Sequence, residues 1–185
     1  MKPFRLILGF PVLAFIAACG SMNLVSEGGD SNLMLRGNDP VAYFIVGKAV
    51  PGNAAIKVEH RGATYRFASE DNRRMFITSP ERFVPQFGGF CTNGMAYAVP
   101  IAGDTDNFKI IDGKLYMFGG YRSKLYFEMD QERNLKLADH YWETEVRDSS
   151  WRLQSWRRLL FRVPHYKTNA ELAEEYEKRF GKKPG

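Results

Sequence analysis

Cys91 lies in the segment Gln86-Phe87-Gly88-Gly89-Phe90-Cys91-Thr92-Asn93-Gly94-Met95 and is one of two cysteines in the 185-residue chain. The glycines before it allow positive φ and let backbone come close to a bound group. Three chemistries are open to such a thiol. A helix N-terminus or a nearby cation would favour the thiolate and make it redox-active or nucleophilic. As a soft donor it would ligate copper or zinc. As a small hydrophobe it would simply fill core. No second ligand stands at a diagnostic spacing, because His60, His140 and His165 are far apart in the chain. Only folding can bring His60 or His140 to Cys91, as a metal ligand or as the base of a thiol enzyme. Met95 offers a thioether suited to Cu(I), or core filling. Asp39, ahead of Pro40, can cap a turn or hold a cation. No Gly-x-Ser-x-Gly, His-Glu-x-x-His, phosphate-loop or dinucleotide-binding pattern is present.

The second cysteine belongs to a different kind of segment. Lys2 and Arg5 precede an apolar run from Leu6 to Ala18, thirteen residues, which is too short for a bilayer span of ~20 residues. A basic start, a short apolar stretch and small residues at its end read as an export signal. Its end, Ile16-Ala17-Ala18-Cys19, resembles the lipobox of bacterial lipoproteins. That resemblance implies cleavage after residue 18, acylation of Cys19, and a lipid-anchored protein of the bacterial cell envelope, at the outer membrane facing the periplasm. An ordinary signal peptide is the alternative. With Cys19 lipidated, Cys91 has no disulfide partner within the chain.

Charge is unevenly placed. The whole chain carries +5, and +3 remains without Lys2 and Arg5; residues 151–185 hold nine Lys/Arg and four Glu. The basic character therefore sits in the tail, and nucleic acid is not the expected partner. Residues 19–34 are small, polar and Gly-containing and read as a tether. Hydrophobic patterning then predicts an α+β domain over 35–148. Val41 to Val46 is β-rich. Ile56 to Phe67 makes a hairpin around Arg61-Gly62, and Phe108 to Phe118 makes another around Asp112-Gly113. Ser69 caps a helix with Glu70 and Asp71 in its first turn, ending before Pro80. Ser123 to about Val146 reads as helix, and no internal repeat stands out. Two hairpins with interleaved helices point away from a parallel α/β sheet.

Asp39-Pro40-Val41, Tyr65-Arg66-Phe67 and Phe76 followed by Ser79-Pro80-Glu81-Arg82-Phe83 resemble the YHS domain. Gly88-Gly89-Phe90-Cys91 and Asp112-Gly113-Lys114-Leu115-Tyr116 are similar to an exported branch of that family, over about residues 35–142. The resemblance implies a small α+β module of a family with metal-associated members. In metal-associated YHS domains, cysteines fall at positions matching Ala42, Ala68 and Asn72 here. Those thiols are missing, so a soft-metal site of that type does not transfer.

The tail is a basic amphipathic extension over 149–185. Leu153, Trp156, Leu159, Leu160 and Val163 fall on one helical side, with Arg152, Arg157, Arg158 and Arg162 supplying charge. Such a helix lies on an anionic membrane or binds another envelope protein through Trp151, Trp156, Arg157, Arg158 and Arg162. Alternatively it packs its apolar side on its own domain with arginines snorkelling. Thr168-x-x-Glu171 resembles a capping box opening a last helix. The sequence thus predicts an envelope lipoprotein with a non-catalytic metal-binding or redox-sensing module at Cys91. A structural or interaction lipoprotein is the alternative, and a thiol enzyme a third reading.

Overall fold

The computed structural model describes residues 21–185. Cys19 and the expected signal segment lie outside the described residues. The described fold is mixed α+β, with two small sheets and eight helices. Strands β1 (Val25–Glu27) and β2 (Asp30–Leu33) form a hairpin, and β2 runs parallel to β4 (Ala63–Phe67), which pairs antiparallel with β3 (Asn53–His60). Residues 21–33 are therefore not a free tether. Asp30 accepts from Arg66 on β4 and Lys57 on β3, and Leu33 is fully buried. The polar residues that read as linker are the partners of a charged sheet face.

Val41–Val46 is not a strand either. Asp39 Oδ1 accepts from the N–H of Val41 at 2.8 Å and of Ala42 at 3.4 Å, which starts the one-turn helix α1 (Ala42–Ile45). The carboxyl cap overrides β propensity. The hairpin β3–β4 turns at Arg61-Gly62 as the pattern predicts. Helix α2 (Glu70–Thr78) is capped by Ser69, whose side chain accepts from Asn72 N, and α3 (Pro80–Phe83) starts at its proline.

The same series then repeats. Helix α4 (Thr92–Met95), the hairpin β5 (Asp104–Ile111) and β6 (Lys114–Phe118), and helices α5 (Tyr121–Glu128) and α6 (Gln131–Tyr141) follow in the order of α1, β3, β4, α2 and α3. From β3 to β5 the shift is 51 residues (104 − 53). Cross-strand register is preserved: Asn53 faces Phe67 and Lys57 faces Arg66, while Asp104 faces Phe118 and Phe108 faces Met117. Isolated bridges match too, Asn38 to Pro51 and Phe90 to Ala102. Each half opens on a tight turn in the left-handed region. Leu35 (φ 53°), Arg36 (51°) and Gly37 (80°) correspond to Phe87 (53°), Gly88 (58°) and Gly89 (80°). Positive φ at a bulky non-glycine residue is unusual, and it occurs at the same place in both turns, at Leu35 and at Phe87. The expectation of no internal repeat is corrected.

The second half inserts against the first through β6. Its alternate side chains face opposite ways. Leu115 and Met117 join the core of Tyr43, Tyr65, Phe67 and Phe76, whereas Tyr116 and Phe118 join Phe87, Phe90, Met95 and Phe127. After α6 a π-turn (Trp142–Val146) leads to α7 (Trp151–Leu160) and α8 (Asn169–Phe180). Thr168 and Glu171 form the predicted capping box. Leu172 and Tyr176 of α8 pack on Tyr126 of α5.

Candidate functional site

The repeated geometry pairs Cys91 with Asp39. Both residues donate their backbone N–H across the same kink, Asp39 to Val50 O and Cys91 to Ile101 O, each at 2.8 Å. Both side chains then cap the short helix that follows. Cys91 Sγ accepts from Gly94 N at 3.3 Å, as Asp39 Oδ1 accepts from Ala42 N. The next helix also contributes in both halves. Asn72 of α2 donates its amide to Asp39 Oδ2 at 2.6 Å, and Ser123 of α5 lies with its Oγ 3.1 Å from Cys91 Sγ.

The two centres differ in what is left over. Asp39 is fully buried, and its second oxygen also accepts from Ala68 N at 2.8 Å, so its acceptor sites are filled. Around Cys91 the matching space is open. Ala68 is replaced by Gly119, where an added Cβ would stand 3.6 Å from Cys91 Sγ. A cavity of about 250 Å³ adjoins the thiol, lined also by Asn93, Tyr97, Ser123, Tyr166 and Lys167. Cys91 is 1 % exposed, and this cavity reaches it. Asn93 is 7 % exposed, and its side-chain carbonyl oxygen has no hydrogen-bond partner. A buried acceptor without a partner carries a cost of ~1–3 kcal/mol unless water or a ligand donates to it.

The wall over this cavity comes from the C-terminal extension. His165 stacks on Tyr97 and Tyr141, and its Nε2 lies 2.8 Å from Ala96 O. Lys167 is held by Glu175, and this hydrogen bond keeps the Glu175 carboxyl below its ordinary range despite partial desolvation. The lysine is thereby paired with a carboxylate at the cavity wall. Burial pushes the Tyr97 hydroxyl up, so it stays protonated at neutral pH and able to donate.

No protein-family model matches the chain, and no curated protein or solved structure matches it.

Several predicted site residues lie elsewhere. His60 Nε2 meets Glu81 Oε1 at 3.1 Å and packs edge-on to Phe76, in the first half. His140 is exposed on α6. Neither lines the Cys91 cavity, so the thiol has no histidine base there. Met95 is fully buried with Phe87 and Phe118 and serves the core. Arg158 is not a surface contact: it is tucked against Glu145 and over the Tyr141 ring. Trp151, Trp156, Arg157 and Arg162 are exposed as expected. Asn93, Ser123, Tyr97, Tyr166 and Lys167 were missed. Ser123 could have been found by aligning Tyr65-x-Phe67 with Tyr116-x-Phe118, which places it opposite Asn72.

Among the described residues, no three His, Cys, Asp or Glu side chains converge as a metal site. The lining of the Cys91 cavity offers one thiol, the hydroxyl-bearing side chains of Ser123, Tyr97 and Tyr166, the Lys167 amine and the amides of Asn93 and Asn169, with no second thiol, imidazole or carboxylate. That set does not fit a closed copper or zinc centre, which takes several soft thiolate or imidazole ligands.

Proposed function

We propose that this chain is an envelope lipoprotein whose YHS-like domain is a non-catalytic sensing or binding module with Cys91 as its reactive atom. The observation that carries this reading is the asymmetry between halves. The first half closes its centre on Asp39, whereas the second replaces the carboxyl with a thiol and leaves a cavity beside it. A structural cysteine would need no such space. The cavity suits a small oxidant or electrophile, or a compact polar ligand donating to Asn93. The mixed donor set disfavours a copper or zinc site, and the lack of a histidine disfavours a thiol enzyme.

The test is labelling of the native protein with reagents of graded size. Methyl methanethiosulfonate should modify Cys91 without denaturation, while a polymer-linked maleimide should not. Cys91→Ser should abolish the signal. If even the small reagent requires denaturant, Cys91 is core and the sensing reading falls. The second reading, an interaction lipoprotein of the envelope, then leads; it is favoured by the exposed apolar side of α7.

A further inference from the structure

Helix α7 is packed inside out. Its inward residues are polar: Gln154 is 3 % exposed and donates to Ala98 O at 3.2 Å and Glu145 Oε2 at 3.0 Å, and Arg158 pairs with Glu145 beside it. Its outward residues are apolar. Leu153, Trp156 and Leu160, at helical spacing, are 70 %, 65 % and 71 % exposed. Leu159 and Phe161 extend the patch. The alternative of an apolar side packed onto the domain is thus reversed. Contiguous exposed apolar surface of this kind marks an interaction site.

What covers it is indicated by two further facts. The first is charge. Arg152, Arg157 and Arg162 flank the apolar stripe, and no acid occurs between Trp151 and Phe161. Arg152 and Arg162 lie over the rings of Trp151 and Tyr166, with no carboxylate paired to either among the described residues. The second is where the chain enters. Ser21 N donates to Arg147 O at 2.9 Å and Ser21 Oγ to Ser149 O, which clamps the described N-terminus beside the start of α7. In the sequence, Cys19 stands two residues before Ser21.

We propose that α7 is an interfacial helix, laying Leu153, Trp156 and Leu160 into the headgroup–acyl boundary of an anionic bilayer at the corner where the chain leads to Cys19. The docking rests on α7 itself; its coincidence with a lipid rests on the lipoprotein reading. A basic amphipathic helix beside a lipid anchor is a suitable second attachment, which would fix how the domain lies on the surface. Surface arginines would be drawn to anionic headgroups and released by salt.

The protein as it matures would be mixed with vesicles of phosphatidylglycerol and phosphatidylcholine, or of phosphatidylcholine alone. Trp156, isolated by difference against Trp156→Phe, should be quenched by shallow spin-labelled lipid and shielded from acrylamide in the anionic vesicles. The double variant Leu153→Asp, Leu160→Asp alters only exposed positions and should retain the native circular dichroism. It should lose this shielding and weaken vesicle partitioning roughly tenfold or more. Mass spectrometry of the same sample reports the acyl group on Cys19 separately. If Cys19 is unmodified, the lipoprotein reading fails, while salt-sensitive flotation with anionic vesicles, absent in the double variant, still supports α7. Equal acrylamide access with and without anionic vesicles overturns the proposal. So does shielding found in envelope fractions but not in vesicles, which assigns the face to a protein partner.

Discussion

The Asp39 centre and the Cys91 centre are built on the same backbone, yet one holds its half together and the other does not need to. Asp39 collects four hydrogen bonds from three elements, the turn before α1, the exit of β4 and helix α2. Cys91 makes two weaker contacts through sulfur. Burying a multiply bonded carboxyl ties a fold strongly, because removing it strands every donor at once. A thiol in the same place strands little. The half whose centre carries less structural weight is the one with room for a cavity beside it.

The largest effect should therefore fall on the first half. Asp39→Ala should lower unfolding stability by about 3–5 kcal/mol, since the N–H groups of Val41 and Ala68 and the Asn72 amide lose their acceptor. Cys91→Ser keeps a helix-capping side chain and should cost under about 1 kcal/mol. Urea unfolding of both variants measures the gap, and equal losses would mean that the two centres are not functionally distinct.

An intermediate effect tests the equivalence of the halves. Gly52 and Gly103 occupy matching positions before β3 and β5. A Cβ at Gly52 would stand 2.6 Å from the Arg66 carbonyl carbon, and one at Gly103 would stand 2.5 Å from Gly89 O. Gly52→Ala and Gly103→Ala should each destabilise by about 1–3 kcal/mol. Thermal melts showing one tolerated and one severe would break the comparison at this level.

The smallest effect concerns the extension, which the first half lacks. Burial works against ionisation of Glu145, but hydrogen bonds from Gln154 and Arg158 outweigh it and hold the carboxyl below its ordinary value of 4.5. A depressed folded-state pKa stabilises above the unfolded value and is lost as pH falls through the folded one. Attachment of α7 should accordingly be intact above about pH 4.5 and loosen below it. Tryptophan fluorescence of wild type against Glu145→Gln checks this. The variant should show the loosened signal at neutral pH and little further change on acidification.

Both hairpins were legible because Arg61-Gly62 and Asp112-Gly113 are strong local turn signals flanked by alternating apolar residues. Ser69 and Thr168 marked their helices for the same local reason. What escaped depended on distant partners. The strands at 25–33 exist because Asp30 meets Arg66, and α1 replaces a strand because Asp39 reaches forward to two N–H groups. The repeat was present in Gly62/Gly113, Tyr65/Tyr116, Phe67/Phe118 and Phe76/Phe127, but its spacing shifts by one residue within each half. Helical periodicity on α7 found the apolar side correctly and could not tell which way it faced. Cys91 stood out in the sequence through the glycines around it; its cavity did not, because Tyr166 and Lys167 arrive from far along the chain.

Strand β6 has a consequence for how the molecule assembles. Leu115 and Met117 complete a core whose other members lie between residues 34 and 83. An emerging first half would expose Tyr65, Phe67 and Phe76 until the second hairpin arrived to cover them. The two halves, however alike, would not melt as two units. They should unfold in one cooperative transition, and a fragment ending before β5 should remain loosely collapsed rather than fold on its own.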